Sequence, residues 1–324
     1  MSFYKKNLIF PPGFMWGAAL ASYQVEGGIK NNDWAWAAEM KKVPPADDQS
    51  PDHYNRYDED FGYAQSLGMN CIRISIEWSR IEPEEGKFDE KEIEHYRQVL
   101  KNIRDKGMEP FMTIWHFTLP IWISENGGWL NKDTIKYFTR YSKYVVEKLG
   151  DLSVHWSTMN EPTVFAMNGY IRGTWPPFKE SHVLDFFRVL RNLAKGHNSV
   201  YKAIKSLDKN IRVSVITNNI YFHSDNNPVN IFKAKFMNWF WNRRFLNKII
   251  RHTDDIGLNY YFHRYIGKAK VSYMQSDMGW DLYPEGIYHT LMELKRYKKA
   301  VYVSEAGLAD ESDKKRQFYL PELI

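Results

Sequence analysis

Two glutamates stand where side chains could do chemistry. Glu161 closes the apolar run SVHWSTMNE (153 to 161) and Glu305 lies near the end of AVYVSEAG (300 to 307). Each run is short and rich in β-branched and aromatic residues, which reads as a buried strand, so both carboxylates sit at strand ends. If those strands belong to one parallel barrel, their ends form a common mouth and the two groups face each other across it. That is what two-carboxylate glycoside hydrolysis requires: one acid protonates the leaving oxygen while the other carboxylate attacks the anomeric carbon. The environments must then differ, one favouring the neutral acid and the other the ion. We assign Glu161 the acid/base role and Glu305 the nucleophile role. The tripeptide Asn160-Glu161-Pro162 recurs by chance in many chains, and its position is what gives it weight.

Other polar residues fall at the ends of similar runs: Gln24, Arg73 and Glu77, His116, Asn160, Asn218 and Asn219, and Asn259 and Tyr261. In a barrel they converge on one basin. Arg73 would supply positive charge near Glu305 and Tyr261 a phenolic donor, both favouring the ion. Asn160 could bind the 2-hydroxyl of a sugar. Gln24, His116 and Trp34 or Trp36 are candidates for the sugar's rim, offering forked donors and an aromatic face. The competing reading is that each glutamate merely pairs with a neighbouring Arg or Lys. His116 has no second His or Cys at metal-ligand spacing, so no metal is expected. Ser75 and Ser304 lie outside any nucleophile elbow, which argues against a serine hydrolase.

The elements that must position these groups are seven candidate strands, at 13 to 24, 70 to 78, 109 to 117, 153 to 161, 211 to 219, 255 to 262 and 300 to 307. Between them lie helical patterns. In FDEKEIEHYRQVLKNIRDKG, Asp89 and Glu92 have capping-box spacing, Ile93, Tyr96, Leu100 and Ile103 share a face, and Gly107 supplies a stop. KDTIKYFTRYSKYVVEKLG ends similarly at Gly150. Alternation of strand and helix over seven units predicts an α/β fold with a (β/α) barrel of the TIM type in a single domain over 1–324, with an open doubly wound sheet as the alternative. No Gly-rich phosphate loop follows the first strand. The aromatic stretch at 221 to 251 reads as helix packing, and the segment after Asp310 as the start of the seventh helix.

Bulk properties narrow the class. The chain has 324 residues, 44% hydrophobic and 26% charged, an ordinary globular composition. No apolar run is long enough to span a bilayer and no signal peptide is legible, so a cytoplasmic protein without a membrane partner is expected. The net charge of +5 comes from residues scattered along the chain, which gives nucleic-acid binding little support. The single Cys71, expected to be buried, allows neither a disulfide nor a thiolate metal site.

FPPGFMWGAALASYQVEGG, IRISIEWSRIEPEEGKFDEKEIEHYRQVL, HFTLPIWISENGGW, HWSTMNEP, DDIGLNYY, GWDLYPEGI and VYVSEAGLAD resemble successive blocks of glycoside hydrolase family 1, in the family's order. The resemblance implies a retaining β-glycosidase on a (β/α)8 barrel, acting on a β-linked glycoside with no cofactor. By position it implies Glu161 as acid/base and Glu305 as nucleophile. It further implies Gln24, His116 and Asn160 in sugar binding, Arg73, Asn259 and Tyr261 in support of the nucleophile, Trp280 in the block before the nucleophile strand, and Trp122 near the mouth.

This chain also departs from the family pattern. Ser304-Glu305-Ala306-Gly307 stands where the family usually has Thr-Glu-Asn-Gly, Phe117 stands where many members have Trp, and 178 to 254 is abbreviated. Successive strands start about 40 to 60 residues apart, so an eighth would begin beyond residue 324 and its βα unit is expected to be lacking. In the family that unit carries a Trp and a Glu that contact the sugar's outer hydroxyls. Its lack would leave two strand edges unpaired. Three expectations follow: an active glycosidase, a weakly active or inactive remnant with partial sugar binding, or a barrel completed by a second copy or another chain.

Overall fold

A computed structural model describes residues 9–45, 51–267 and 273–324. Nine strands occur among them: β1 (Gly17–Ala19), β2 (Cys71–Ser75), β3 (Glu109–Trp115), β4 (His155–Asn160), β5 (Arg212–Asn218), β6 (Tyr221–Ser224), β7 (Asp255–Tyr260), β8 (His263–Ile266) and β9 (Ala300–Ala306). Seven form one sheet in the order β1-β2-β3-β4-β5-β7-β9, every pairing parallel. The sheet curls into a nearly closed TIM-type barrel in which β1 and β9 approach each other but are the two ends of the ladder. An eighth βα unit is lacking among the described residues, leaving a seam there. All seven strands expected from sequence form, but the first keeps only Gly17–Ala19 of 13 to 24, and Gln24 lies in the short helix Ser22–Val25 rather than at a strand end. The short β6 and β8, paired with each other beside the mouth, were not expected, because four residues carry too little periodicity to be read without their partner.

The helices obey the sequence pattern closely. The helix Glu90–Asp105 buries Ile93, Tyr96, Leu100 and Ile103. Asp89 caps it by accepting from the Lys91 amide at 2.9 Å, but Glu92 binds the Tyr54 hydroxyl at 3.2 Å instead of returning to Asp89, so only half of the capping box forms. Gly107, at φ +75°, ends it in a conformation that other residues resist. Outward-facing Ile72, Ile74, Val213, Val215, Ile256 and Leu258 join Leu100, Val145, Leu149 and Leu193 in one buried cluster between sheet and helices. Each such side chain contributes about 1.5–3 kcal/mol on burial, and truncating Leu100 to Ala would cost about 2–5 kcal/mol.

The barrel interior is polar where strands converge. The Tyr302 hydroxyl bonds those of Ser157 at 2.8 Å and Ser214 at 2.9 Å. Gly257 makes room for it, since a Cβ there would lie 3.0 Å from that hydroxyl and 2.6 Å from Ile216 Cγ1. Cys71 is partly exposed rather than buried, because its strand pairs with the short β1 at the open seam. The remaining burial still pushes its thiol up to about 11.

Candidate active site

Asn160 and Glu305 are aimed by irregularities in the ladder, and Glu161 follows Asn160 in a left-handed turn. Alternation sends Ser157 into the barrel and Thr158 out to the His197 ring, at 2.7 Å, so a regular strand would also send Asn160 outward. The pairing of β4 with β5 instead steps from Ser157↔Ser214 to Asn160↔Ile216, one extra residue on β4, which turns Asn160 inward. In β9, Tyr302 points inward, and alternation would turn Glu305 away. The pairing with β7 steps from Leu258↔Val303 to Asn259↔Glu305, and the extra Ser304 brings Glu305 back to the interior. Glu161 then adopts φ +44°, a left-handed conformation that costs a non-glycine residue about 1–2 kcal/mol. Pro162 starts the helix Pro162–Tyr170 immediately after it.

One hydrogen-bonded network holds the pair. Arg73 donates to Glu305 Oε1 through Nη1, to Asn160 Oδ1 through Nη2 at 2.9 Å, and to Thr113 Oγ1 through Nε at 2.9 Å. The Tyr261 hydroxyl donates to Glu305 Oε2. Both oxygens of Glu305 thus face donors, one of them cationic. Asn259 and Asn218 donate to the same oxygen of Glu161, Oε1, at 2.8 and 2.9 Å, which leaves Oε2 for a proton. Asn259, expected beside Glu305, bonds Glu161 directly and reaches β9 by accepting from Ser304 at 2.7 Å. His116 approaches the Asn160 amide nitrogen at 3.3 Å.

The two carboxyls titrate in opposite directions. Burial and the charge of Glu305 push Glu161 up to about 7, against the pull of its two amide donors and Arg73. Burial alone would raise Glu305 as well, but Arg73 and the Tyr261 hydrogen bond outweigh it and hold this carboxyl below its usual range. Burial and Arg73 drive His116 well below the ordinary imidazole value, so it is neutral at neutral pH. Near neutrality one acid can keep a proton while its neighbour stays ionised, the division of labour that an acid and a nucleophile need.

These groups open into a cavity of about 2010 Å³. It exceeds an ordinary ligand pocket of about 300–1,000 Å³ because the seam between β1 and β9 joins the mouth. Gln24, Arg73, His116, Asn160, Tyr261 and Trp280 line it with both glutamates. Gln24 is exposed, and its side chain makes no hydrogen bond among the described residues. Trp280 packs against Tyr261 at 5.7 Å. Trp34 also lines the cavity, but Trp36 and Trp122 do not: Trp36 lies under Lys42 on the surface, and Trp122 is tied to the Glu82 carbonyl at 3.0 Å.

Two other strand-end residues stay out of the basin. Glu77 is fully buried behind it, bound to Ser22, Asn32, Ser79 and Thr118, so it ties together the loops that carry Gln24, Trp34 and His116. Asn219 is buried beneath the rim. The contact of Asn218 with Glu161 was not foreseen, although its place at a strand end was the available signal. In the stretch 221 to 251, Phe222, Phe236, Phe240 and Trp241 line the cavity rather than only pack a helix.

A parallel βα barrel with an acid and a carboxylate paired at the C-terminal ends of its strands has the layout of a glycoside hydrolase. Comparison with known proteins fixes the family. Residues 6–254 match the family model for Glycosyl hydrolase family 1, and the chain belongs to that family. It is 33% identical to beta-glucosidase A of Thermotoga maritima over 352 residues, covering 93% of this chain and 78% of that protein. It is 29% identical to a beta-galactosidase of Sulfolobus acidocaldarius, over 97% of this chain and 82% of that one. The solved Thermotoga maritima beta-glucosidase in complex with glucoimidazole superposes with a TM-score of 0.90 at 29% identity, covering 97% of this chain and 84% of that one. A beta-glycosidase from Pyrococcus horikoshii gives 0.87 at 30% identity, over 97% and 80%.

Proposed function

We propose that this chain is a retaining β-glycosidase that hydrolyses β-glucosides or related β-glycosides through a covalent glycosyl-enzyme intermediate. The observation that carries the reading is the contrast in partners within one network. Glu305 meets the Arg73 cation and the Tyr261 hydroxyl, one on each oxygen, whereas buried Glu161 meets only neutral amides on a single oxygen. The first site favours the ion and the second can keep a proton. In the first step Glu305 attacks the anomeric carbon while the bond to the leaving oxygen breaks and Glu161 gives that oxygen its proton. In the second, Glu161, now ionised, takes a proton from water, the water oxygen bonds the anomeric carbon, and Glu305 is released. Arg73 and Tyr261 keep Glu305 ionised, with Asn259 linking its strand to Glu161. Gln24, His116 and Asn160 bind sugar hydroxyls, and Trp280 offers a ring face. Relatives named β-glucosidase and β-galactosidase, one of them solved with glucoimidazole, support this substrate class.

The test is Glu305→Gly with azide on an activated aryl β-glycoside. The variant should lose turnover, and azide should restore it as a glycosyl azide of inverted configuration. Loss without rescue, from an active parent preparation, would remove Glu305 from the nucleophile role.

The open seam favours a second reading, in which this chain is a weakly active or inactive remnant, or is completed by another polypeptide or a second copy. Turnover by the purified chain at a rate ordinary for glycosidases would exclude the remnant. A compact active monomer on size-exclusion chromatography would exclude completion in trans.

A further inference from the structure

The helix Pro228–Asn238 presents an unpartnered apolar ridge to solvent. Asn227 caps it by accepting from the Val229 amide at 2.9 Å, and Pro228 opens its first turn. Val229 is 60% exposed, Phe232 70%, Phe236 52%, and Trp239, in the π-helical turn Trp239–Arg243 that follows, 43%. Steps of three, four and three residues put all four on one stripe of a helix. Only Ala234 is fully buried in the helix itself. Exposed apolar residues scattered singly are ordinary, but a contiguous ridge of large ones marks a surface that something covers.

Charge identifies the cover. At about 100° per residue, Lys233 and Lys235 fall on opposite flanks of the ridge. Both are exposed, and neither makes an ion pair among the described residues. Residues 226 to 252 hold six Lys or Arg (Lys233, Lys235, Arg243, Arg244, Lys248 and Arg251) and no Asp or Glu, a local block within a chain whose charges are otherwise mixed. Two acids reach this segment from outside it. Asp225 accepts from the Asn227 amide at 3.1 Å and from the Asn230 side chain at 2.9 Å, and Glu293 is engaged by Arg243 and by the Asn238 amide, so these bonds go to groups other than Lys233 and Lys235. A second copy would set this cationic fringe against itself. An anionic lipid surface matches both the ridge and its basic borders, with rings entering the headgroup layer and lysines reaching phosphates.

We infer that the helix Pro228–Asn238 is an interfacial anchor that seats the protein on an anionic bilayer. The helix has 11 residues and one apolar stripe, dimensions that suit a bilayer surface. Phe236 and Met237 also line the cavity, so the anchor borders the mouth. Glycosides whose apolar aglycone sits in the bilayer would reach the mouth from this side. That corollary rests on the glycosidase reading, whereas the seating itself does not.

The test is sedimentation of the purified full chain with phosphatidylcholine vesicles, with and without phosphatidylglycerol, read as bound protein. The chain should bind the anionic vesicles and largely ignore the neutral ones. Lys233→Gln/Lys235→Gln should weaken binding about 25-fold, roughly fivefold for each basic residue near the surface, and Phe232→Ser should weaken it about tenfold. None of these residues lines the cavity, so thermal melts and turnover of a soluble aryl glycoside serve as folding controls. No binding by the folded chain, or binding indifferent to these substitutions, overturns the inference. So does a dimer in light scattering that Phe232→Ser converts to monomer, which would make a second copy the cover. Inactivity toward glycosides with vesicle binding intact would sink the glycosidase reading and leave the anchor standing.

Discussion

Glu161 follows β4, a strand bonded on both sides to β3 and β5, whereas Glu305 lies in β9, which is bonded to β7 alone. The first carboxyl is held by neutral amides from β5 and β7 in the closed wall. The second is held at the seam by a cation from β2 across the barrel and by a phenol beyond β7. The difference teaches that proton retention and ionisation have separate structural supports. The closed wall buries Glu161, and that burial with the charge of Glu305 favours its acid form against the pull of its two amide donors. The seam strand depends on Arg73 both for the charge state of Glu305 and for its position.

The contrast can be broken most directly at Glu161. Glu161→Gln should lower turnover of glycosides with poor leaving groups about 10³-fold, and of dinitrophenyl glycosides far less. With Glu161 at about 7, kcat/KM of the parent should fall as pH rises through about 7, because the proton to be donated is lost. That limb should vanish in the variant. An unchanged alkaline limb would take the acid role away from Glu161.

Hydrogen exchange compares the supports without chemistry. Amides of β9 should exchange about 100-fold faster than those of β5, since edge strands open more readily than strands paired on both sides. Equal protection would mean that another element covers the seam. Tyr261→Phe should reduce kcat/KM about tenfold, as one hydrogen bond to a charged group is lost. It should also move the acid limb to higher pH, because the lost donor favoured the ionised Glu305. Asn218→Ala is the gentlest probe. It removes a bond that lowers the Glu161 pKa, so the alkaline limb should move upward with only a few-fold change in rate. A downward movement would show that Asn218 favours the acid form instead.

Much of this was legible from residue order. Seven strands and the helices Glu90–Asp105 and Asp133–Leu149 followed from periodicity, the longer helix Val183–Leu207 did not, and the polar residues at strand ends marked the mouth. What escaped was geometry that a one-dimensional pattern cannot hold. Simple alternation would have pointed Asn160 and Glu305 away from the site, and the two ladder irregularities reversed it. Glu77 had the same sequence signature as its strand-end neighbours, yet four hydrogen-bonding neighbours lock it behind the basin. The basic block around the helix Pro228–Asn238 was diluted in a whole-chain charge and became meaningful only once its ridge was seen in solvent.

The sequence alone determined most strand and helix periods and set the two glutamates among polar residues at strand ends, because those depend on side chains and local spacing. Tertiary structure decided which carboxyl keeps its proton. That choice depends on burial and on charges distant along the chain, such as Arg73, which lies 232 residues from Glu305 in sequence and donates directly to it in the fold.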